Sequence, residues 1–126
     1  MLACIAPAAA ANSWVAGAES GVFRLTLQTD GQLGFDLLAP VSQALPGMRF
    51  NDGRCDRQGR FLTGTMLMNL AAGARPGCVY SYQNHSKLRK LVDGFITPNG
   101  MAFSPDRRTM YLSDSNPSVQ SVWAFD

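Results

Sequence analysis

A chain of 126 residues is the size of one ordinary domain, and its 46% apolar content is that of a globular protein. A net charge of +2, with Lys and Arg scattered along the chain, excludes the concentrated basic footprint of a nucleic-acid binder. No apolar run reaches the ~18 residues of a membrane span, so no membrane partner is expected.

The first residues, "MLACIAPAAAANSW", have the Ala-rich look of a cleavage region. They lack a basic start and meet Pro7 almost at once, so they read as part of the mature chain rather than as a leader. Short strands separated by turn residues then run the full length. "SWVAG" and "GVFRLTLQ" flank Ala18-Glu19-Ser20, and "LGFDLLAP" follows a Thr29-Asp30-Gly31 turn. Next come "GRCD", a turn at Arg57-Gln58-Gly59, "RFLTGTM", "GCVYSYQ" and "KLRKLVDG". The last group is "NGMAFS", a turn at Pro105-Asp106-Arg107, "TMYLSDS" and "SVQSVWAFD". The best helical candidate, "MLMNLAAGAR", is broken by Gly73 and Pro76. The charged stretch Lys87 to Lys90 reads as a solvated strand. The chain is expected to be all-β.

The strand pattern repeats. "WVAG" at Trp14 to Gly17 and "FLTG" at Phe61 to Gly64 lie 47 residues apart, as do Asp52-Gly53 and Asn99-Gly100. "YLSD" at Tyr111 to Asp114 follows "FLTG" by 50. Four short strands per ~40–50 residues mark a β-propeller blade. This phasing predicts a partial β-propeller: one complete four-stranded blade over residues 53–93, flanked by two incomplete blades. The blade parts fall at about 1–45, 46–95 and 96–126. Bare sheet edges of such a piece favour self-association. Trp14, Phe61, Val79, Tyr111 and Trp123 recur at strand positions and read as blade-to-blade packing.

"RFNDGRCDRQGRFLTGTM", followed by "ITPNGMAFSPDRRTMYLSDS", resembles the gluconolactonase and regucalcin family, also called senescence-marker-like proteins. The resemblance implies a six-bladed propeller that binds one divalent metal, calcium or zinc, near its central channel and hydrolyses sugar lactones. By it, Asn99 is a metal ligand through its side-chain carbonyl, and Arg49 and Asn51 contact the oxygens of a small sugar lactone. Oxygen ligands suit a hard cation, and the planar guanidinium suits a sugar acid's oxygens. Gly53 and Gly100 are read as tight turns leading into the inner strands. The family's two carboxylate ligands, a Glu in an early segment and an Asp in a later "P-D-G" segment, have no counterpart among these residues. A single neutral Asn cannot hold a divalent ion, which takes ~6–8 oxygens, so this chain alone is expected to bind no metal and to be inactive. The other class of function left open is a non-catalytic propeller segment with a binding role, or a decayed remnant.

The remaining polar residues have plainer readings. Asp52 belongs to the "NDG" turn, and Asp56, Asp106 and Asp114 are structural, Asp114 closing a strand near the same end of the sheet. His85, the one histidine, is placed in a polar loop, with no residues marking it as part of a catalytic triad. Cys4, Cys55 and Cys78 form no close pair, which fits reduced thiols and a cytoplasmic setting.

Overall fold

A computed structural model of the chain describes residues 1–84 and 86–126, and the backbone alone at Ala72. The expectation for His85 lies outside the described residues. Strand-forming alternation and turn residues place the strands in the expected order. They are β1 (Leu2–Pro7), β2 (Ser13–Ala18), β3 (Gly21–Leu27), β4 (Leu33–Pro40), β5 (Met48–Cys55) and β6 (Phe61–Leu67). After a single 3-10 turn at Leu70–Ala72 come β7 (Gly77–Tyr82), β8 (Arg89–Phe95), β9 (Pro98–Phe103), β10 (Met110–Asp114) and β11 (Ser121–Phe125). That 3-10 turn, ended by Gly73 in the left-handed region at φ 61°, is all that "MLMNLAAGAR" retains of a helix.

These strands form three antiparallel sheets, β1-β2-β3-β4, β5-β6-β7-β8 and β9-β10-β11. β1 lies against β5, and β5 against β9, so the first strand of each sheet faces a shared inner region. This is the partial propeller that the repeat implied. The sheet count differs in one respect: the first sheet has four strands, so two blades are complete rather than one. The physical reason lies at the start of the chain. Residues 8–12 turn tightly, with Asn12 at φ 53°, and fold Leu2–Pro7 back onto β2 in register.

The period-2 alternation of each strand gives every sheet two distinct faces. Facing the next sheet, a "forward" face of the first sheet carries Ala6, Val15, Val22 and Ala39. It packs on the "backward" face of the second, formed by Phe50, Phe61 and Tyr82. Across the second contact, Leu62 and Val79 meet Met101 and Leu112. Phe50, Phe61, Val79 and Leu112 are essentially inaccessible to water. Of the residues read as blade packing, Phe61 and Val79 are therefore buried, whereas Tyr111 and Trp123 remain 42% and 43% exposed. Tyr111 lies on the forward face of the third sheet, which no described residue covers. Trp123 meets Phe95 edge to face, with ring centres 6.5 Å apart.

Candidate functional site

The polar cluster at Arg49 to Gly53 lies inside a strand, not in a turn. β5 begins at Met48, because Met48 and Phe50 are buried and alternate with Arg49 in strand fashion. What breaks the regular pleat is a bulge. Phe50 pairs with Thr65 and Gly53 with Thr63, so β5 takes one residue more than its partner. The other two inner strands do the same. In β9, Asn99 pairs with Ser113 and Ala102 with Tyr111; in β1, Leu2 pairs with Ala18 and Cys4 with Gly17. Bulges re-aim side chains and recur beside functional sites.

Hairpin register corrects the equivalence drawn from the 47-residue spacing. Cys55 opposes Phe61, and Phe103 opposes Met110; at the other end Phe50 opposes Thr65, and Pro98 opposes Asp114. Both pairings relate β5 to β9 by 48 positions, so Asn51 corresponds to Asn99 and Asp52 to Gly100. Gly53 and Gly100 are accordingly not turn residues. A Cβ on Gly53 would stand 2.9 Å from the Cys4 sulfur and 3.0 Å from the Leu62 carbonyl oxygen, so its role is close approach of β1. Gly100 takes the left-handed conformation, φ 62°, that the β9 bulge requires.

Two of the residues singled out, Arg49 and Asn51, are joined by a hydrogen bond, and the chain they make ends on Pro98, the residue before Asn99. Arg49 Nη1 donates to the Phe50 carbonyl at 2.7 Å and to Asn51 Oδ1 at 3.3 Å. Arg49 Nε points to Met68 Sδ at 2.8 Å. Asn51 Nδ2 in turn crosses to the neighbouring sheet and donates to the Pro98 carbonyl at 3.2 Å, beside Asn99. Asn99 Nδ2 donates to Ser115 Oγ at 3.2 Å, and its Oδ1 accepts the Gly100 N–H at 3.0 Å. All of these lie at the end of β5 and β9 remote from the Asp56–Arg60 and Ser104–Thr109 turns. Arg49, Asn51 and Asn99 are partly buried, so each keeps a path to solvent.

Asp52, expected to stabilise a turn, instead bonds across two strands. Its Oδ1 accepts the Gly53 N–H at 2.9 Å, while Oδ2 accepts the N–H groups of Gly100 at 2.8 Å and Met101 at 3.4 Å. One carboxylate thus ties the two inner strands together at the base of the cluster. Arg54 Nη1 adds a parallel tie to the Met101 carbonyl at 3.3 Å. Sequence reasoning missed this cross-strand role, although Asp52, Gly100 and Met101 all fall within the repeated segments.

The other acids are structural, as expected. Asp56 accepts the N–H groups of Gln58 and Arg60, and Asp106 that of Arg108, each closing a hairpin turn. The Ser104 hydroxyl and the Arg108 N–H hold the Asp106 carboxyl below its ordinary range. Asp114 is fully buried and accepts the N–H groups of Ile96, Thr97 and Asn116 at 2.9, 3.0 and 3.4 Å. It pins the link between β8 and β9, and so the start of the strand that carries Asn99.

Could these residues hold a divalent cation? Among the described residues no three His, Cys, Asp or Glu side chains gather into a ligand group. Asn99 Oδ1 has a lone pair to spare but carries no charge, and the nearest carboxylate, Asp52, is spent on backbone N–H groups. A hard cation wants ~6–8 oxygens with carboxylates among them, and the residues present do not fit one.

All three thiols are pushed up by burial, Cys4 with partial relief from the Thr63 hydroxyl and the Gly17 backbone. A raised pKa leaves less thiolate at any given pH. Alkylation by iodoacetamide at pH 8 should therefore run several-fold slower in the folded chain than in guanidinium chloride. Equal rates in the two states would contradict the burial.

Blade-like antiparallel sheets with bulged inner strands define a segment of a β-propeller. The whole chain, residues 1–126, matches the family described as the SMP-30/Gluconolactonase/LRE-like region, and it belongs to that family. It is 32% identical over 115 residues to 6-deoxy-6-sulfogluconolactonase of Pseudomonas putida, covering 91% of this chain and 38% of that protein. To regucalcin of Danio rerio it is 35% identical over 81 residues, covering 64% of this chain and 28% of the relative. Among solved structures, a calcium-binding regucalcin from Agrobacterium tumefaciens matches with TM-score 0.76 and 30% identity, over 99% of this chain and 39% of that one. A luciferin-regenerating enzyme shares the fold with TM-score 0.79 at 23% identity, over 98% of this chain and 46% of its own. The chain thus spans between 28% and 46% of the length of these proteins.

Proposed function

We propose that this chain carries the sugar-contacting part of a lactone-hydrolysing propeller site. One observation supports the reading above the rest: Arg49 and Asn51 from one sheet and Asn99 from the next converge at one end of adjacent inner strands. Arg49 engages its Nε and Nη1 within the protein and keeps the Nη2 edge for a ligand. That edge, with the remaining donor and acceptor capacity of the Asn51 and Asn99 amides, suits the hydroxyls and ring carbonyl of a lactone. The resemblance to 6-deoxy-6-sulfogluconolactonase supports a small sugar lactone as the substrate class. Three free thiols support a reducing, cytoplasmic setting.

Ring opening in such a site needs a polarised carbonyl and an activated water, which a bound divalent cation supplies. Asn99 would offer such an ion no more than one neutral carbonyl oxygen. Carboxylate ligands would have to come from outside these residues. The chain by itself therefore binds lactone without turning it over, which also accommodates the non-catalytic reading.

Titration of the 15N-labelled chain with glucono-δ-lactone tests this. The side-chain amide signals of Asn51 and Asn99 should shift saturably, and Arg49→Ala should weaken the response at least tenfold. Shifts confined to the Asp56–Arg60 end, or none at all, would refute the site. In the same solution, calcium or zinc should show no saturable binding by calorimetry and should not speed lactone opening above the rate in buffer. Metal-dependent turnover by the lone chain would show that a ligand set forms from these residues after all.

A further inference from the structure

We propose that Met68 positions Arg49, and that oxidation of its thioether to a sulfoxide switches off lactone binding. The inference rests on the lactone site proposed above and adds a means of controlling it. Strand register brings the two side chains together. Arg49 pairs with Met66 across the β5–β6 ladder, and Met48 with Leu67. The Met68 N–H carries the ladder one step further, donating to the Gly47 carbonyl at 3.0 Å. Met68 therefore lies two residues beyond the partner of Arg49, a diagonal neighbour on the same face and within reach of a long side chain. Arg49 Nε points to its sulfur at 2.8 Å.

That contact completes the orientation of the guanidinium. The group is planar, so two held nitrogens fix the direction of the third. Nη1 is held by the Phe50 carbonyl and Asn51 Oδ1, and Nε by Met68. Without the sulfur the plane can turn about Nη1, and the Nη2 edge no longer has one direction. A thioether is a weak acceptor, and an oxygen would make the better static clamp. Among the described residues, the other arginine Nε groups that have a partner do donate to oxygen, on Asp36, Asp56 and Gly94. What sulfur adds at Arg49 is a second oxidation state.

Met68 is also placed to react. Its side chain is 49% exposed, whereas Met48, Met66 and Met101 are buried. Met1, exposed as well, lines a separate cavity with Glu19, Ser20 and Phe23. The oxidant is a hydroperoxide, hydrogen peroxide in the simplest case. The sulfur lone pair attacks one peroxide oxygen, and an S–O bond forms as the O–O bond breaks. The proton of the transferred hydroxyl passes to the leaving hydroxide, which departs as water. Sulfur is oxidised by two electrons and the peroxide is reduced by two. Oxygen added on the lone pair facing Nε has no room at 2.8 Å. Oxygen added on the other lone pair leaves a partially positive sulfur facing the cation. Either sulfoxide epimer breaks the contact.

The Arg49 Nε–H signal of the 15N-labelled chain reads the contact without any ligand. Its proton should exchange with water at least tenfold more slowly than the Nε–H of the exposed Arg57. Brief treatment with hydrogen peroxide, with mass spectrometry locating the added oxygen on Met68, should abolish that protection. The same treatment should weaken the Asn51 and Asn99 responses to glucono-δ-lactone at least fivefold. Methionine sulfoxide reductases A and B together, one for each epimer, should restore both readouts. Met68→Leu keeps the bulk and removes the sulfur, so it should lose the Nε–H protection. Peroxide, which still meets Met1 and the thiols in that variant, should then change nothing further. Protection that survives oxidation or Met68→Leu would overturn the inference, as would an undiminished lactone response in the oxidised chain. A lactone response missing before oxidation refutes the site itself, while the Nε–H signal still decides whether Met68 positions Arg49.

Discussion

Asp114→Ala is expected to destabilise the chain by about 3–5 kcal/mol, because it leaves several buried N–H donors without an acceptor at ~1–3 kcal/mol each. Asp114 has no exposed surface, and its two oxygens receive the N–H groups of Ile96, Thr97 and Asn116. Alanine would strand those donors where water does not reach, and leave Arg75, whose Nη2 lies 3.7 Å from Oδ2, without its counter-charge. Asparagine keeps one acceptor but turns an NH2 group toward N–H donors, so Asp114→Asn should recover only part of the loss. Against a typical domain stability of ~5–15 kcal/mol, either change should be plain in urea denaturation. Asp36→Ala is the contrast. Its partner Arg24 is 46% exposed and Asp36 is 61% exposed, so its loss should cost less than about 1 kcal/mol. Equal effects at the two positions would mean that Asp114 does not anchor the β8–β9 link.

Asp52→Ala is the second large effect, about 1–3 kcal/mol, with a functional consequence attached. The side chain is partly accessible, so water can replace some of the lost bonds, which keeps the figure below that for Asp114. What water cannot replace is the geometry. Asp52 Oδ2 holds the Gly100 and Met101 N–H groups from across the sheet boundary, and with them the bulge on which Asn99 sits. Hydrogen exchange at Gly100 should therefore accelerate by an order of magnitude or more in the variant. The shift of the Asn99 amide on adding lactone should weaken, although Asn99 is unaltered. Asp52→Asn retains an acceptor oxygen and should rescue a large part of both readouts. A protected Gly100 amide in Asp52→Ala would show that the bulge holds itself.

The two inner Asn residues show how far the sequence carries. A recurrence of turn and strand patterns was enough to announce a repeated sheet, and "R-x-N-D-G" with "PNG" was enough to pick out Arg49, Asn51 and Asn99 as the residues to watch. Their alignment was off by one, because a β-bulge adds a residue without leaving a mark in composition. Only the register of β5 on β6 and β9 on β10 sets Asn51 against Asn99. Asp52 was harder still. An Asp before Gly is good turn chemistry, and nothing local says that its second oxygen reaches another sheet.

Strand class, strand order and the repeat were local properties, dictated by the period-2 alternation and by the Asp- and Gly-rich turns that interrupt it. Tertiary structure decided the rest. It completed the first sheet by folding Leu2–Pro7 onto β2, moved the polar cluster from a turn into a bulged strand, and made Asp52 and Asp114 the carboxylates that hold β9 and the link before it. The reason is range. Alternation and turn propensity act over a few residues, whereas hydrogen bonds such as Asn51 to Pro98 and Gly100 to Asp52 join positions 47 and 48 apart, and exist only once neighbouring sheets have packed.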